Sequence, residues 1–275
     1  MIGIFDSGYG GLTILNHIRQ HLPQYNYLYL GDNARAPYGT RSFDVIYEYT
    51  LQAVNYLHQQ GCNLIILACN TASAKALRTI QQNDINPHEL RVLGVIRPTV
   101  EVVPSYTHTK HIGVLATPGT VNSDSYVIEL LKQDPTLTIT QQACPMWVPL
   151  IESGEHLYAG ADYYIEKYLT KLLNHDPLID TIILGCTHYP LLQPKIEKFL
   201  ANTNHQISIV AQGKIVANSL ADYLQRHPEI VARISPSSQH VSEGCLYLTT
   251  ESAKKFEESA SLFLAEPIHA QHIEL

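Results

Sequence analysis

Two cysteines, Cys69 and Cys186, stand in matching surroundings. Ile65-Ile66-Leu67-Ala68-Cys69-Asn70-Thr71 is echoed by Ile182-Ile183-Leu184-Gly185-Cys186-Thr187-His188. In each, an apolar run ends on a small residue, then a thiol, then hydrogen-bonding side chains. A thiol has a reference pKa of ~8.5, so modest electrostatic help yields thiolate near neutral pH while a second thiol stays protonated. A pair in opposite protonation states can take a proton from one face of a carbon centre and return one to the other face. The two roles exchange in the reverse direction. Helpers stand close by in the chain. His188 lies two residues beyond Cys186 and titrates near neutrality, and Asp6 is expected near Cys69. Asn70, Thr71, Thr187 and Tyr38 add hydrogen-bonding groups. Cys62, Cys144 and Cys245 lack such a setting and read as buried packing.

Other chemistries fit less well. Neither Cys69 nor Cys186 has the CxxC or HExxH spacing of a metal site, so no metal is expected. Asp6-Ser7-Gly8-Tyr9-Gly10-Gly11 reads as a glycine-rich turn or a phosphate cradle, but lacks the Lys-Ser/Thr ending of a P-loop and the spacing of a dinucleotide fingerprint. Asp32 reads as functional or as a loop cap.

The elements that must carry these residues alternate. Strands are expected at Ile2–Phe5, Tyr27–Leu30, Leu64–Ala68, Val92–Ile96, Ile112–Leu115, Thr138–Gln141, Thr181–Leu184 and Ile207–Val210, each a short apolar or β-branched run. Helical patterns fall between them at Ser42–Gln59, Ala72–Gln81, Tyr158–Leu173 and Leu191–Leu200, with a closing helix at Glu251–Leu264 and an uninformative polar tail. Such alternation predicts an α/β fold with mainly parallel sheets. The cysteine-centred repeat, with strand-end loops at Asp6 and Thr117 in equivalent places, predicts two pseudo-symmetric α/β domains. Ligands of such sheets bind at the carboxyl ends of strands, which puts the site between the domains.

The chain has 275 residues, 45% of them hydrophobic, and a formal charge of −7. Its 18 Lys and Arg are scattered, so nucleic acid is not an expected partner. The start Met1-Ile2-Gly3-Ile4-Phe5 lacks a signal-peptide pattern, and no apolar run nears the ~18 residues of a membrane span. An odd, dispersed set of five cysteines fits free thiols in a reducing compartment. The expectation is a cytoplasmic protein with no membrane partner.

The chain resembles the glutamate racemases of the aspartate/glutamate racemase family. The matching segments are Asp6-Ser7-Gly8-Tyr9-Gly10-Gly11, Gly31-Asp32 through Pro37-Tyr38-Gly39, Ala68-Cys69-Asn70-Thr71-Ala72-Ser73, Leu115-Ala116-Thr117-Pro118-Gly119-Thr120, Cys144-Pro145 through Val148-Pro149-Leu150-Ile151-Glu152, and Leu184-Gly185-Cys186-Thr187-His188-Tyr189-Pro190. The resemblance implies cofactor-free interconversion of L- and D-glutamate, supplying D-glutamate for peptidoglycan. It implies Cys69 and Cys186 as the proton donor/acceptor pair, with Asp6, Glu152 and His188 as auxiliary catalytic groups. Asp6, Ser7, Tyr38, Gly39, Asn70, Thr71, Thr117, Thr187 and His188 are the implied substrate contacts. It implies a first domain completed by the C-terminal segment, with limits of 1–93 plus 208–275 for the first and 94–207 for the second. It leaves the oligomeric state open, a homodimer among the choices. Racemisation of aspartate by the same thiols, and non-catalytic amino-acid binding, are the competing readings. His188 after Thr187 favours glutamate, since aspartate-specific relatives tend to carry an acidic residue there. Arg97-Pro98-Thr99, Val210-Ala211-Gln212-Gly213 and Asn33 depart from the commoner family pattern.

Overall fold

The computed structural model describes residues 1–203, 206–234, 244–264 and 266–275. Ten strands are defined among them: β1 (Ile2–Asp6), β2 (Tyr27–Gly31), β3 (Leu64–Leu67), β4 (Arg91–Gly94), β5 (His111–Ala116), β6 (Thr138–Ala143), β7 (Thr181–Gly185), β8 (Ser208–Val210), β9 (Cys245–Thr249) and β10 (Ala270–His272). They form two sheets, in the orders β10-β9-β2-β1-β3-β4 and β6-β5-β7-β8. Every pairing is parallel. The inner strands β1, β2, β3 and β7 are buried at every position, as strands covered on both faces must be. The α/β expectation therefore holds.

The order 2-1-3-4 in the first sheet is repeated as 6-5-7-8 in the second. In each, the chain leaves the first strand to one side and returns on the other. The crevice at that switch, beyond the strand ends, is where such sheets bind ligands. Asp6 ends β1 and Cys69 follows β3, so both flank the first switch. Thr117 follows β5 and Cys186 follows β7, so both flank the second.

Three differences from the sequence reading have physical causes. The tail contributes β10, which pairs with β9 through Ala270↔Tyr247 and His272↔Thr249. As an edge strand with Gln271 and His272 exposed, it carries no apolar signature. β9 was not anticipated and continues the first sheet beside β2. Ser208–Val210 pairs with β7, so the chain leaves the second sheet only after Val210, later than the boundary at 208. Among the helices, Ala72–Gln81 is divided into Asn70–Lys75 and Leu77–Asn83, and Ile96 opens a helix, Ile96–Val102, with Pro98 in its first turn where a missing N–H is tolerated. The closing helix is Ala253–Leu264. No helix among the described residues is long and apolar enough to cross a membrane.

Candidate active site

One cavity of about 120 Å³ lies where the strand ends of the two sheets face each other. It is lined by every residue that the family resemblance implies as catalytic or substrate-contacting: Asp6, Ser7, Tyr38, Gly39, Cys69, Asn70 and Thr71 from the first sheet's loops, and Thr117, Glu152, Cys186, Thr187 and His188 from the second's. That volume suits one small metabolite and is well below the ~300–1,000 Å³ of drug-sized pockets. A larger cavity, about 340 Å³, lies between β4 and the helix Gln212–Arg226 and gathers Arg97, Glu101 and Arg226, but no thiol. Convergent acid–base groups, rather than size, mark the smaller one as the site.

On the first side, β1 and β3 are neighbours in register, Ile2↔Leu64 through Phe5↔Leu67, so the residues that follow them emerge together. Cys69 starts the helix Asn70–Lys75, and the Ala72 backbone N–H donates to its Sγ at 3.5 Å. Ser7 Oγ lies 3.4 Å from the same sulfur. Asp6 Oδ2 accepts from the Gly8 N–H at 2.9 Å, while its buried Oδ1 has no hydrogen-bond partner. Burial pushes the Asp6 carboxyl up, against the opposing effect of His188 and the N–H groups of Gly11 and Gly8. Burial, joined by the negative charge of Asp6, also pushes the Cys69 thiol up to about 12 despite the Ser7 and Ala72 bonds.

The second side is built differently. His188 Nδ1 stands 3.9 Å from Cys186 Sγ, and its Nε2 is 2.9 Å from Glu152 Oε1. Burial opposes the charged ring, but the bonds to Cys186 and Glu152 and their charges prevail and raise His188 to about 10. The ring thus faces the Cys186 sulfur on one side and is held from behind by Glu152. Phe263 of the closing helix packs edge-on against the His188 ring, with centroids 5.5 Å apart. Both thiols are nearly closed from solvent, Cys69 at 5% and Cys186 at 6% exposure.

Contacts across the cavity draw the two sides together. Thr71, Thr117 and Thr120 form a triangle of hydroxyls with edges of 2.9, 3.1 and 3.3 Å. Thr117 also starts the helix Pro118–Asn122, accepting from the Thr120 N–H. The Gly119 N–H donates to the Gly39 carbonyl at 2.7 Å. Gly10 must be glycine here, because a Cβ would collide with His188 Nδ1 and Thr187 Oγ1. Tyr38 is held by its hydroxyl, which donates to Asp32 Oδ2; the fully buried Asp32 also accepts from Arg35 Nε at 2.7 and 2.9 Å and from Thr250 Oγ1 at 2.8 Å. Asp32 thereby fixes the loop that presents Tyr38 and Gly39, without lining the cavity.

The sequence reading passed over several neighbours. Cys144 lines the cavity as well as being buried, beside Pro145, Val148 and Pro149. Its place just beyond β6 is the signal that could have drawn notice. Behind Asn70, Tyr126 carried no motif, and Gln212 stood out only as part of a segment that departs from the commoner family pattern. Among the described residues, no group of three or more His, Cys, Asp or Glu side chains is placed to hold a metal ion.

A sequence model of the Asp/Glu/Hydantoin racemase family matches residues 12–220. The chain is 40% identical to a glutamate racemase of Roseobacter denitrificans, with 97% of each chain covered. The glutamate racemase of Lactiplantibacillus plantarum is 36% identical, with 100% of this chain and 96% of the relative covered. Among solved structures, a glutamate racemase isoform from Bacillus anthracis superposes with a TM-score of 0.88 at 32% identity, covering 100% of this chain and 97% of that one. The Francisella tularensis glutamate racemase, solved in complex with D-glutamate, gives 0.86 at 30%, covering 99% and 97%. The chain belongs to the Asp/Glu/Hydantoin racemase family.

Proposed function

We propose that this enzyme interconverts L- and D-glutamate with Cys69 and Cys186 as its two acid–base groups and without a cofactor, in the cytoplasm, as a source of D-glutamate for peptidoglycan. The observation that carries the reading is that two thiols, each just beyond an equivalent strand, line one small cavity from opposite sheets. The names of the relatives, and the D-glutamate bound to the Francisella enzyme, support the choice of substrate.

In each turnover one sulfur, as thiolate, takes the α-proton: the C–H bond breaks and an S–H bond forms. The opposing thiol gives its proton to the other face of the carbon and becomes the thiolate. The unpartnered Oδ1 of Asp6 suits the substrate ammonium or a proton passing to Cys69. His188, oriented by Glu152, serves Cys186 in the same way. Ser7, Tyr38, Gly39, Asn70, Thr71, Thr117 and Thr187 supply hydrogen bonds that hold the substrate and stabilise the developing negative charge. Exclusion of water strengthens each of these interactions.

Circular dichroism of purified protein under reducing conditions, with each enantiomer of glutamate and of aspartate, tests this reading. Glutamate is expected to racemise without added pyridoxal phosphate. Faster turnover of aspartate overturns the substrate assignment. Binding without turnover overturns the enzymatic one, and dependence on pyridoxal phosphate overturns the mechanism.

A further inference from the structure

Behind the cavity lies a buried polar ring that the reaction as described leaves unused. Tyr126 OH donates to Asn70 Oδ1 at 2.8 Å. Asn70 Nδ2 donates to Gln212 Oε1 at 2.6 Å. Gln212 Nε2 donates back to Tyr126 OH at 2.9 Å, closing a three-membered circuit. All three side chains are at most 2% exposed. The second hydrogen of the same Nε2 is shared between Thr99 Oγ1 at 3.0 Å and the Val95 carbonyl at 3.2 Å.

The Val95 carbonyl sets the direction of the whole circuit. A carbonyl only accepts, so the Gln212 atom facing it must be the amide nitrogen. The oxygen of Gln212 then faces Asn70, which obliges Asn70 to present its nitrogen there and its oxygen to Tyr126. One side-chain amide has only two hydrogens on nitrogen. With one given to Gln212, the second Asn70 hydrogen is left for the cavity that Asn70 lines.

The geometry points to Gln212 as a positioning residue of the proposed glutamate site: through this ring it locks the Asn70 amide with its N–H, rather than its carbonyl, toward the substrate. The inference rests on the functional reading above and deepens it. A donor at that point favours a substrate carboxylate, and a flipped amide would offer it a lone pair instead. The location adds meaning. Val95 and Thr99 lie where the chain first crosses from β4 toward β5, and Gln212 lies where it crosses back after β8. One side chain therefore ties both connections between the sheets to the residue next to Cys69.

The test compares Gln212→Leu and Tyr126→Phe in the unmodified chain and in an Asn70→Ala background, with KM and kcat measured for both enantiomers. Gln212→Leu is expected to raise KM about three- to tenfold, in line with the loss of one oriented hydrogen bond, while kcat stays within about threefold. Tyr126→Phe moves KM the same way by a smaller factor. In Asn70→Ala, neither change raises KM further, since both act through Asn70. An unchanged KM with a lowered Tm, or an equal rise in both backgrounds, overturns the inference. If Gln212→Leu does not fold, Tyr126→Phe, which deletes a single oxygen, decides on the same comparison. Failure of the functional reading looks different: the unmodified chain then turns over no glutamate, and the inference falls with it before any variant is compared.

Discussion

The hydroxyls of Thr71 and Thr117 lie 2.9 Å apart, one beyond β3 of the first sheet and the other beyond β5 of the second. Thr117 does two jobs at once, since it also caps its own helix by accepting from the Thr120 N–H. Thr117→Val keeps the shape and deletes all three contacts of its hydroxyl, to Thr71 Oγ1, Thr120 Oγ1 and the Thr120 N–H. Loss of a helix N-cap costs about 1 kcal/mol, and for a chain of this size that lowers Tm by about 2–4 °C. The substrate KM is expected to rise severalfold, because Thr117 and its partner Thr71 also line the cavity. A thermal melt and one KM series check this. An unaltered KM would show that the triangle joins the sheets without shaping the site.

The two-thiol geometry makes a prediction specific to each face of the carbon. Removing one acid–base group costs racemisation about 10²–10⁴-fold. On the proposed mechanism, the surviving sulfur still reaches one face. In heavy water, Cys69→Ala is expected to exchange the α-hydrogen of one enantiomer only, and Cys186→Ala that of the other. Mass spectrometry of each recovered enantiomer reads this directly. Exchange into both enantiomers by a single variant would falsify the assignment of one sulfur to each face.

Asp32 is fully buried and carries the loop through Arg35, Tyr38 and Thr250. Removing one partner from a buried ion pair costs about 3–5 kcal/mol, and the Arg35 side chain, 20% exposed, brings the expectation to the lower end of that range. Asp32→Asn is expected to lower Tm by roughly 6–12 °C at ~2–4 °C per kcal/mol. It should also raise KM, because Tyr38 loses its anchor. A melt and a KM measurement decide. A stable variant with unchanged KM means that Tyr38 is held by its packing against Phe5 and Tyr49 instead.

Much of this site was legible in the sequence, for a topological reason. In a parallel sheet the active loops follow short apolar strands, and those strands are easy to see. Cys69, Cys186, Asp6 and Thr117 were therefore locatable as strand-end residues before any pairing was known. The pairing itself, β1 beside β3 and β5 beside β7, is what turns strand ends into one cavity, and it depends on contacts between distant segments. The link of Gln212 and Tyr126 to Asn70 was hidden for a related reason: Tyr126 meets Asn70 only after the chain has crossed between the sheets, and Gln212 only after it has crossed back. β10 escaped because an edge strand needs no apolar face. Asp32 was ambiguous because a buried loop anchor and a catalytic carboxylate look alike until their partners are seen.

His188 and Cys69 together predict how stability responds to alkali. His188 is raised in the folded chain from 6.5 to about 10, so folding holds its proton more tightly than the unfolded chain does. The stability this contributes is fully present below about pH 6.5 and is lost as pH rises through about 10. Cys69 acts in the same direction at higher pH: raised from 9.0 to about 12, it resists an ionisation that the unfolded chain undergoes freely. One proton difference gives a slope of at most ~1.4 kcal/mol per pH unit. The Tm of the unmodified protein is therefore expected to decline steadily from pH 7 to pH 10. Glu152→Gln removes the carboxylate that helps hold the His188 charge, so it should lower Tm at pH 7 and flatten the decline. His188→Asn should remove the part below pH 9 altogether. Melts of the three proteins at matched ionic strength test the sign, and equal slopes for all three would mean that His188 does not carry the alkaline loss.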